Sequence, residues 1–410
     1  MKSIKTAGQI ALVCAVLGAA AVTPAAAVNP IAGMPSVPNP SNLYSETVSG
    51  RFSPLVKSHL ERVYVPNLRS NTVSVIDPAT LKVIVTLKVG RSPQHVVPAW
   101  DLKTLWVANN AEGRTDGSLT PIDPLTSKTG QAIPVDDPYN VYFSPDGKSL
   151  IVVAEARRRL DFVDPQTLKA QYAIATPSCG GINHADFSID GRYALFTCEF
   201  DGTVAKIDLV NQKVVGYLKL TMPAVRFRDP ANKSKSISPA ETEICTVTKG
   251  MPQDIRSSPD GKRFFVADMH ADGVHVIDGD AFKQVGFIPT GLGAHGLYPS
   301  RDGKQLYVAN RGTHAIHGQK NGPGRVSVID FATQTVVAQW PVPGGGSPDM
   351  GNVSADGKWL WLSGRFDDVV YRFDTGNGAV SKVAVGLEPH GLTVWPLPGR
   401  HSMGHTGNMR

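Results

Sequence analysis

The sequence predicts an all-β fold: a seven-bladed β-propeller of four-stranded blades, closed by the C-terminal strand joining the N-terminal blade. Three observations carry this. A short β-branched strand ending in aspartate recurs seven times, each recurrence sits in the same order of strands and turns, and the two chain ends carry complementary fragments of one unit. The recurring strand reads "VSVIDP", "LTPIDP", "LDFVDP", "VAKIDL", "VHVIDG", "VSVIDF" and "VYRFDT", placing aspartates at Asp77, Asp123, Asp164, Asp208, Asp278, Asp330 and Asp374. Their spacings are 46, 41, 44, 70, 52 and 44 residues, a basic period near 44 with insertions at 222–250 and 311–324.

Each unit runs strand, Asp-Gly-like turn, strand such as "LYVAN", loop, Asp-terminated strand, turn, and a last strand such as "QTVVAQWPV". Four short antiparallel strands in 40-odd residues are the pattern of a blade; solenoids of similar period use helices, and no 3.6-residue apolar stripe is long enough to supply one. The first unit, opening at "RVYVPN", lacks its opening strand, while the chain ends on an orphan opening strand, "EPHGLTVW". Pairing the two closes the ring and leaves no open sheet edge.

Composition bounds the rest. With 410 residues, 41% hydrophobic and 19% charged, and with 40 Gly and 31 Pro, the chain is an ordered protein rich in turns. Lys2 and Lys5 precede the apolar run "IALVCAVLGAAAV", and small residues follow, so residues 1–27 read as an export signal. That run is shorter than the ~20 residues a spanning helix needs. A periplasmic or secreted chain with no membrane span is therefore expected. Removing two lysines lowers the net charge from +6 to +4, 39 basic against 35 acidic residues, which is not a nucleic-acid signature. The dense basic run Arg157 to Arg159 has no aromatic stripe beside it and reads as a solvated loop. Residues 28–60 form a Pro-rich leader expected to be extended and poorly ordered, residues 61–395 the propeller, and residues 396–410 a tail. Three cysteines remain after export. Cys245 lies in the long insertion, at the same face as the loop carrying Cys179, so these two are expected to pair and leave Cys198 free at the funnel wall.

The strands "VYVPN", "LWVAN" and "LYVAN", followed by "VSVID"-type strands and preceded by "SPDGK"-type turns, resemble the YVTN repeats of bacterial seven-bladed propellers, over roughly residues 61–395. The resemblance implies a group of exported propellers related to the tetrapyrrole-binding, cytochrome d1-like domain of dissimilatory nitrite reductases, to amine dehydrogenase heavy chains and to propeller lactonases. These share architecture and not chemistry.

The innermost strands of a propeller line its central channel. The residues just before the Asp-Gly hairpins, in blade order, are Gln94-His95, Tyr139-Asn140, Asn183-His184, Gln253-Asp254, His295-Gly296, Asp349-Met350 and His390-Gly391. This level makes His95, His184, His295, His390, Asp254 and Asp349 the candidate metal ligands. The ends of the second strands add Glu155, Glu199, Asp268, Arg311, Arg365 and Cys198 as candidate cofactor-binding residues. Imidazole, carboxylate and thiol donors suit copper, zinc or iron. One four-histidine site, two smaller sites, or a haem-like tetrapyrrole held by one histidine with arginines near its carboxylates all satisfy the pattern. His95 and His184 fall one residue later than His295 and His390, and side-chain alternation can aim the two pairs apart. His314 and His317, in the shorter insertion, are expected to be solvated. No Gly-x-Ser-x-Gly elbow, Cys-x-x-Cys-His, phosphate loop or His-Glu-x-x-His is present.

Three functions remain. The first is an exported protein that binds a small ligand, metal or metal-bearing cofactor at the funnel, in redox or cofactor handling with a periplasmic protein partner. The second is a lactonase-like hydrolase using Glu155 or Glu199 with His184. The third is a non-catalytic scaffold for proteins or peptides. The convergence of donors on one funnel favours the first.

Overall fold

A computed structural model describes residues 28–222 and 249–399; the export signal, Cys245 and the tail from residue 400 lie outside the described residues. Seven separate antiparallel sheets form the ring. Blade 2 opens with Pro93–Pro98, blade 3 with Pro138–Phe143, blade 4 with Ile182–Phe187, blade 5 with Pro252–Ser257, blade 6 with Ala294–Pro299 and blade 7 with Pro348–Val353. Blade 1 takes its innermost strand from the chain end: Thr393–Trp395 pairs with Arg62–Asn67, with Val63 opposite Val394. The closure read from the terminal fragments is therefore the closure observed.

Local chemistry explains why the repeat is visible. The seven aspartates end the third strands and tie the turns that follow. Asp123 accepts from the backbone N–H of Leu125 at 2.8 Å, Asp164 from Thr167 at 2.7 Å, and Asp330 from Thr333 at 2.8 Å. Burial falls from the axis outward. First strands such as Pro138–Phe143 are buried throughout, whereas fourth strands such as Lys213–Lys219 alternate toward solvent. Apolar side chains pack between neighbouring sheets, as Tyr142, Phe162, Phe187 and Phe196 do between blades 3 and 4, and Val63, Trp361, Val370 and Val394 between blades 7 and 1.

Two expectations are corrected. The leader is not loose: Ile31 N–H donates to Asp190 O at 2.9 Å, Leu43 N–H to Pro259 O at 2.7 Å, and the buried Tyr44 hydroxyl to Ser257 O at 2.7 Å. It covers the hairpin-turn side of blades 4 to 6, fitting so closely that a Cβ on Gly191 (φ +76°) would lie 2.7 Å from Met34 Sδ. The funnel cavity opens on the opposite side, where the first strands begin. The second correction concerns cysteine. Cys198 is not free; it is disulfide-bonded to Cys179. Cys198 ends the second strand of blade 4 and Cys179 lies in the loop entering that blade, which brings their Cα atoms within 4.8 Å.

Deleting residues 388–410 removes the strand that completes blade 1 and exposes the edge of Arg62–Asn67. Size-exclusion chromatography and thermal unfolding should show aggregation or a large loss of stability. A truncated monomer of unchanged stability would contradict the closure.

Candidate functional site

The start of the inner strand is irregular in blade after blade. Pairing slips between Pro93 and His95, Ile182 and Ala185, Pro252 and Ile255, Ala294 and Leu297, and Pro348 and Gly351. Such a bulge lifts residues out of the ladder and re-aims their side chains. The ring therefore splits into two tiers. Five of the seven first residues, Gln94, Tyr139, Gln253, His295 and His390, line a cavity of about 500 Å³, and Asn183 and Asp349 stand behind it. The second residue lies beneath and contributes nothing to that lining.

Glu155 and Glu199, from blades 3 and 4, form one wall of the cavity, and Arg311 and Arg365, from blades 6 and 7, form the other. Ile316 and His317 of the shorter insertion stand at its rim, so that loop does reach the site; His314, by contrast, turns to Asp272 at 2.6 Å.

Asp349 is the centre of the basic side. It is fully buried, and its two oxygens meet four side chains. His295 Nδ1 lies 2.9 Å from Oδ1 and His390 Nδ1 2.8 Å from Oδ2. Arg311 donates through Nε at 3.0 Å and Nη2 at 3.2 Å, a bidentate grip, and Arg365 Nη1 stands 3.9 Å away. Burial alone would raise the Asp349 pKa, but Arg311, His295 and His390 together hold it well below the usual carboxylate range. Burial, with Arg311 adding, pushes His295 down to about 4; burial, with Arg365 adding, pushes His390 down to about 3. Both imidazoles are neutral near pH 7. His390 Nδ1 is hydrogen-bonded to the carboxylate, which leaves its Nε2 over, buried and without a hydrogen bond; His295 Nδ1 stands within 2.9 Å of the same carboxylate without the alignment of a hydrogen bond.

The acidic wall is built differently. Glu199 accepts from Gln253 Nε2 and Asn183 Nδ2, each at 3.0 Å. Burial, then Glu199 and Asp137, raise the Glu155 pKa well above its ordinary value.

Below the cavity, the His95 ring sits 5.2 Å from that of His184 and 5.0 Å from that of His390, centroid to centroid, and 5.2 Å from Tyr139. Three candidates are committed elsewhere. Asp254 pairs with Arg256 at 3.0 Å and accepts from Leu297 N–H of the next blade at 2.9 Å, so it is a strut between blades. Asp268 accepts from Met251 N–H at 2.9 Å and faces His275 Nε2 at 3.2 Å, which fixes a loop. Cys198 is consumed by its disulfide. Among the described residues, no three His, Cys, Asp or Glu side chains converge to hold a metal ion. Glu388, which lies 3.4 Å from Arg365 Nε, was passed over in the sequence although it stands two residues before His390 in "EPHG".

Fold and site together define a seven-bladed propeller with a polar cavity at its axis. The sequence matches the family described as YNCE-like beta-propeller over residues 21–172 and 236–400, and the chain belongs to that family. Similar solved structures include a hydrazine synthase from Kuenenia stuttgartiensis (19% identity, TM-score 0.55, 72% of this chain and 87% of that one). Another is the dihydro-heme d1 dehydrogenase NirN in complex with DHE (14% identity, TM-score 0.57, 84% and 79%). A third is a putative 6-phosphogluconolactonase from Bacteroides uniformis (15% identity, TM-score 0.60, 82% and 99%). At these identities the likeness is one of fold. No curated protein sequence matches.

Asp349→Ala leaves the Arg311 guanidinium buried without its carboxylate. Chemical denaturation should show a loss of about 3–5 kcal/mol, the usual cost of breaking a buried pair from one side. A variant as stable as the parent would mean the four contacts do not hold the axis.

Proposed function

We propose that this chain is an exported binding protein that seats, at the floor of its funnel, a metal centre arriving with most of its own ligands. A haem-like tetrapyrrole is the class of cofactor in question. The observation that carries the reading is His390, hydrogen-bonded through Nδ1 to Asp349 with its Nε2 buried and without a hydrogen bond, beside His295, whose Nδ1 lies 2.9 Å from the same carboxylate. A carboxylate behind an imidazole sets its tautomer and strengthens it as a ligand. The lowered pKa values mean that no proton competes for Nε2 near neutrality.

A bare copper, zinc or iron ion fits less well, because a protein site for such an ion supplies three or more donors and none is assembled among the described residues. A metal that needs one or two imidazoles and brings the rest fits. His390 and His295 would be its donors, and such a group supplies redox or Lewis-acid chemistry when bound. The chain's own residues orient it and limit its contact with water. The complex of NirN with DHE is an instance of a ligand on a similar fold. Export is supported by the Cys179–Cys198 disulfide, which persists in oxidising compartments, and by the basic and apolar pattern of residues 1–27. Among the described residues no helix is long and apolar enough to cross a membrane. A periplasmic protein that delivers or receives the cofactor is the partner this function calls for.

The lactonase-like reading is weaker. Its base, His184, does not line the cavity, and imidazoles with pKa values of about 3 and 4 are poor bases at neutral pH.

Titrating the purified chain with ferric and ferrous protoporphyrin, and separately with Cu²⁺ and Zn²⁺, tests the proposal. The porphyrin should bind one per chain with an imidazole-type absorption spectrum. The double variant His295→Ala/His390→Ala should lose this spectrum, and His314→Ala/His317→Ala should keep it. No uptake of any species, or uptake unchanged in the first double variant, would overturn the reading.

A further inference from the structure

The two walls of the cavity differ in how their charges are compensated. On the basic side every guanidinium has its carboxylate: Arg311 grips Asp349, and Arg365 lies 3.4 Å from Glu388 and 3.9 Å from Asp349. Arg114, which also lines the cavity, is paired with Asp116. On the acidic side no cation makes contact with Glu155 or Glu199; Arg311 and Arg365 act on them only from across the cavity. Among the described residues the Glu199 carboxyl is met only by the neutral amides of Gln253 and Asn183, and the Glu155 carboxyl makes no hydrogen bond or ion pair. Asp137, on the same wall, accepts a backbone N–H from Arg157 at 2.8 Å while the Arg157 guanidinium turns to Asp136. The groups of the cavity without a charged partner in contact are therefore carboxyls, which a bound cation would ionise.

An independent feature points the same way. Gln94 is 97% buried (3% exposed) and lines this cavity, yet its Oε1 accepts no hydrogen bond; Asn110, 6% exposed and also in the lining, leaves its Oδ1 equally unused. Buried acceptors without donors are rare and costly, and they mark a place where a ligand supplies the N–H groups. The rings of Tyr139 and Phe200 line the same space, and aromatic faces beside carboxylates favour an organic cation.

We propose that the wall formed by blades 2 to 4 is a subsite for an organic ammonium group. Glu155 and Glu199 supply the charge, and Gln94 and Asn110 supply the acceptors. The ligand class is a primary alkylamine, or a larger molecule that presents one into the funnel. This subsite is separate from the imidazole pair and does not require a metal there. The raised pKa of Glu155 agrees with a carboxyl that lacks its counter-ion.

The test uses three near-isosteric probes at one pH and ionic strength: n-butylammonium, 1-butanol and butyrate, followed by calorimetry and ligand-observed NMR. Butylammonium should bind at least about tenfold more tightly than butanol, and butyrate should not bind. Glu155→Gln, which removes an unpaired acid without changing shape, should abolish the preference for the cation. Gln94→Leu should weaken it several-fold, with thermal unfolding confirming that both variants are folded. Amine binding is measured on the chain without added metal or porphyrin, so failure here and failure of the metal-centre proposal are read separately. Equal binding of amine and alcohol, no binding of the amine, or full retention of the preference in Glu155→Gln would overturn the proposal.

Discussion

A single carboxylate at the axis ties together the parts of this molecule that matter most. Asp349 belongs to blade 7; its partners His295 and Arg311 belong to blade 6, and His390 immediately precedes the strand that closes blade 1. The contact that joins three blades around the closure is thus also the contact that orients the two funnel histidines. Ring closure and site formation are not separate events, because the chain end must be in place before His390 can reach Asp349. A buried charge of this kind survives only when it is paired on every side, and here two imidazoles and two guanidiniums share it.

What the sequence reveals about the fold follows from the short range of the interactions involved. The Asp-terminated strands are legible because each aspartate serves its own turn two or three residues on. The closing strand is legible because its fragment is missing from the other end. The leader is different: Tyr44 is held by Ser257 and stacks 6.4 Å from Phe331, partners hundreds of residues away that no periodicity announces. The same limit applies to Cys179, where proximity along one blade outweighed the appeal of a cysteine in the insertion.

The site was legible as a level and not as an arrangement. The paired residues at the strand starts do form a ring, but the bulges in the inner strands sort them. His295 and His390 reach the cavity, while His95 and His184, one residue later, pack beneath it. Asp254 and Asp349 look alike in a list of acidic residues, yet a one-residue offset makes the first a strut and the second the hub. The isolation of Glu155 could not be read at all, since it depends on where every arginine of the opposite wall has already found a carboxylate.

The funnel therefore has a compensated side that holds lone pairs ready and an acidic side whose carboxyls have no cation in contact. The first property depends on Asp349 being ionised and facing Nδ1 of both rings. Nitrogen-15 chemical shifts of His295 and His390 at pH 7 report this directly. The account requires neutral imidazoles with the proton on Nδ1 and a bare Nε2 in both. An imidazolium at either position, or the proton on Nε2 with Nδ1 bare, would contradict it.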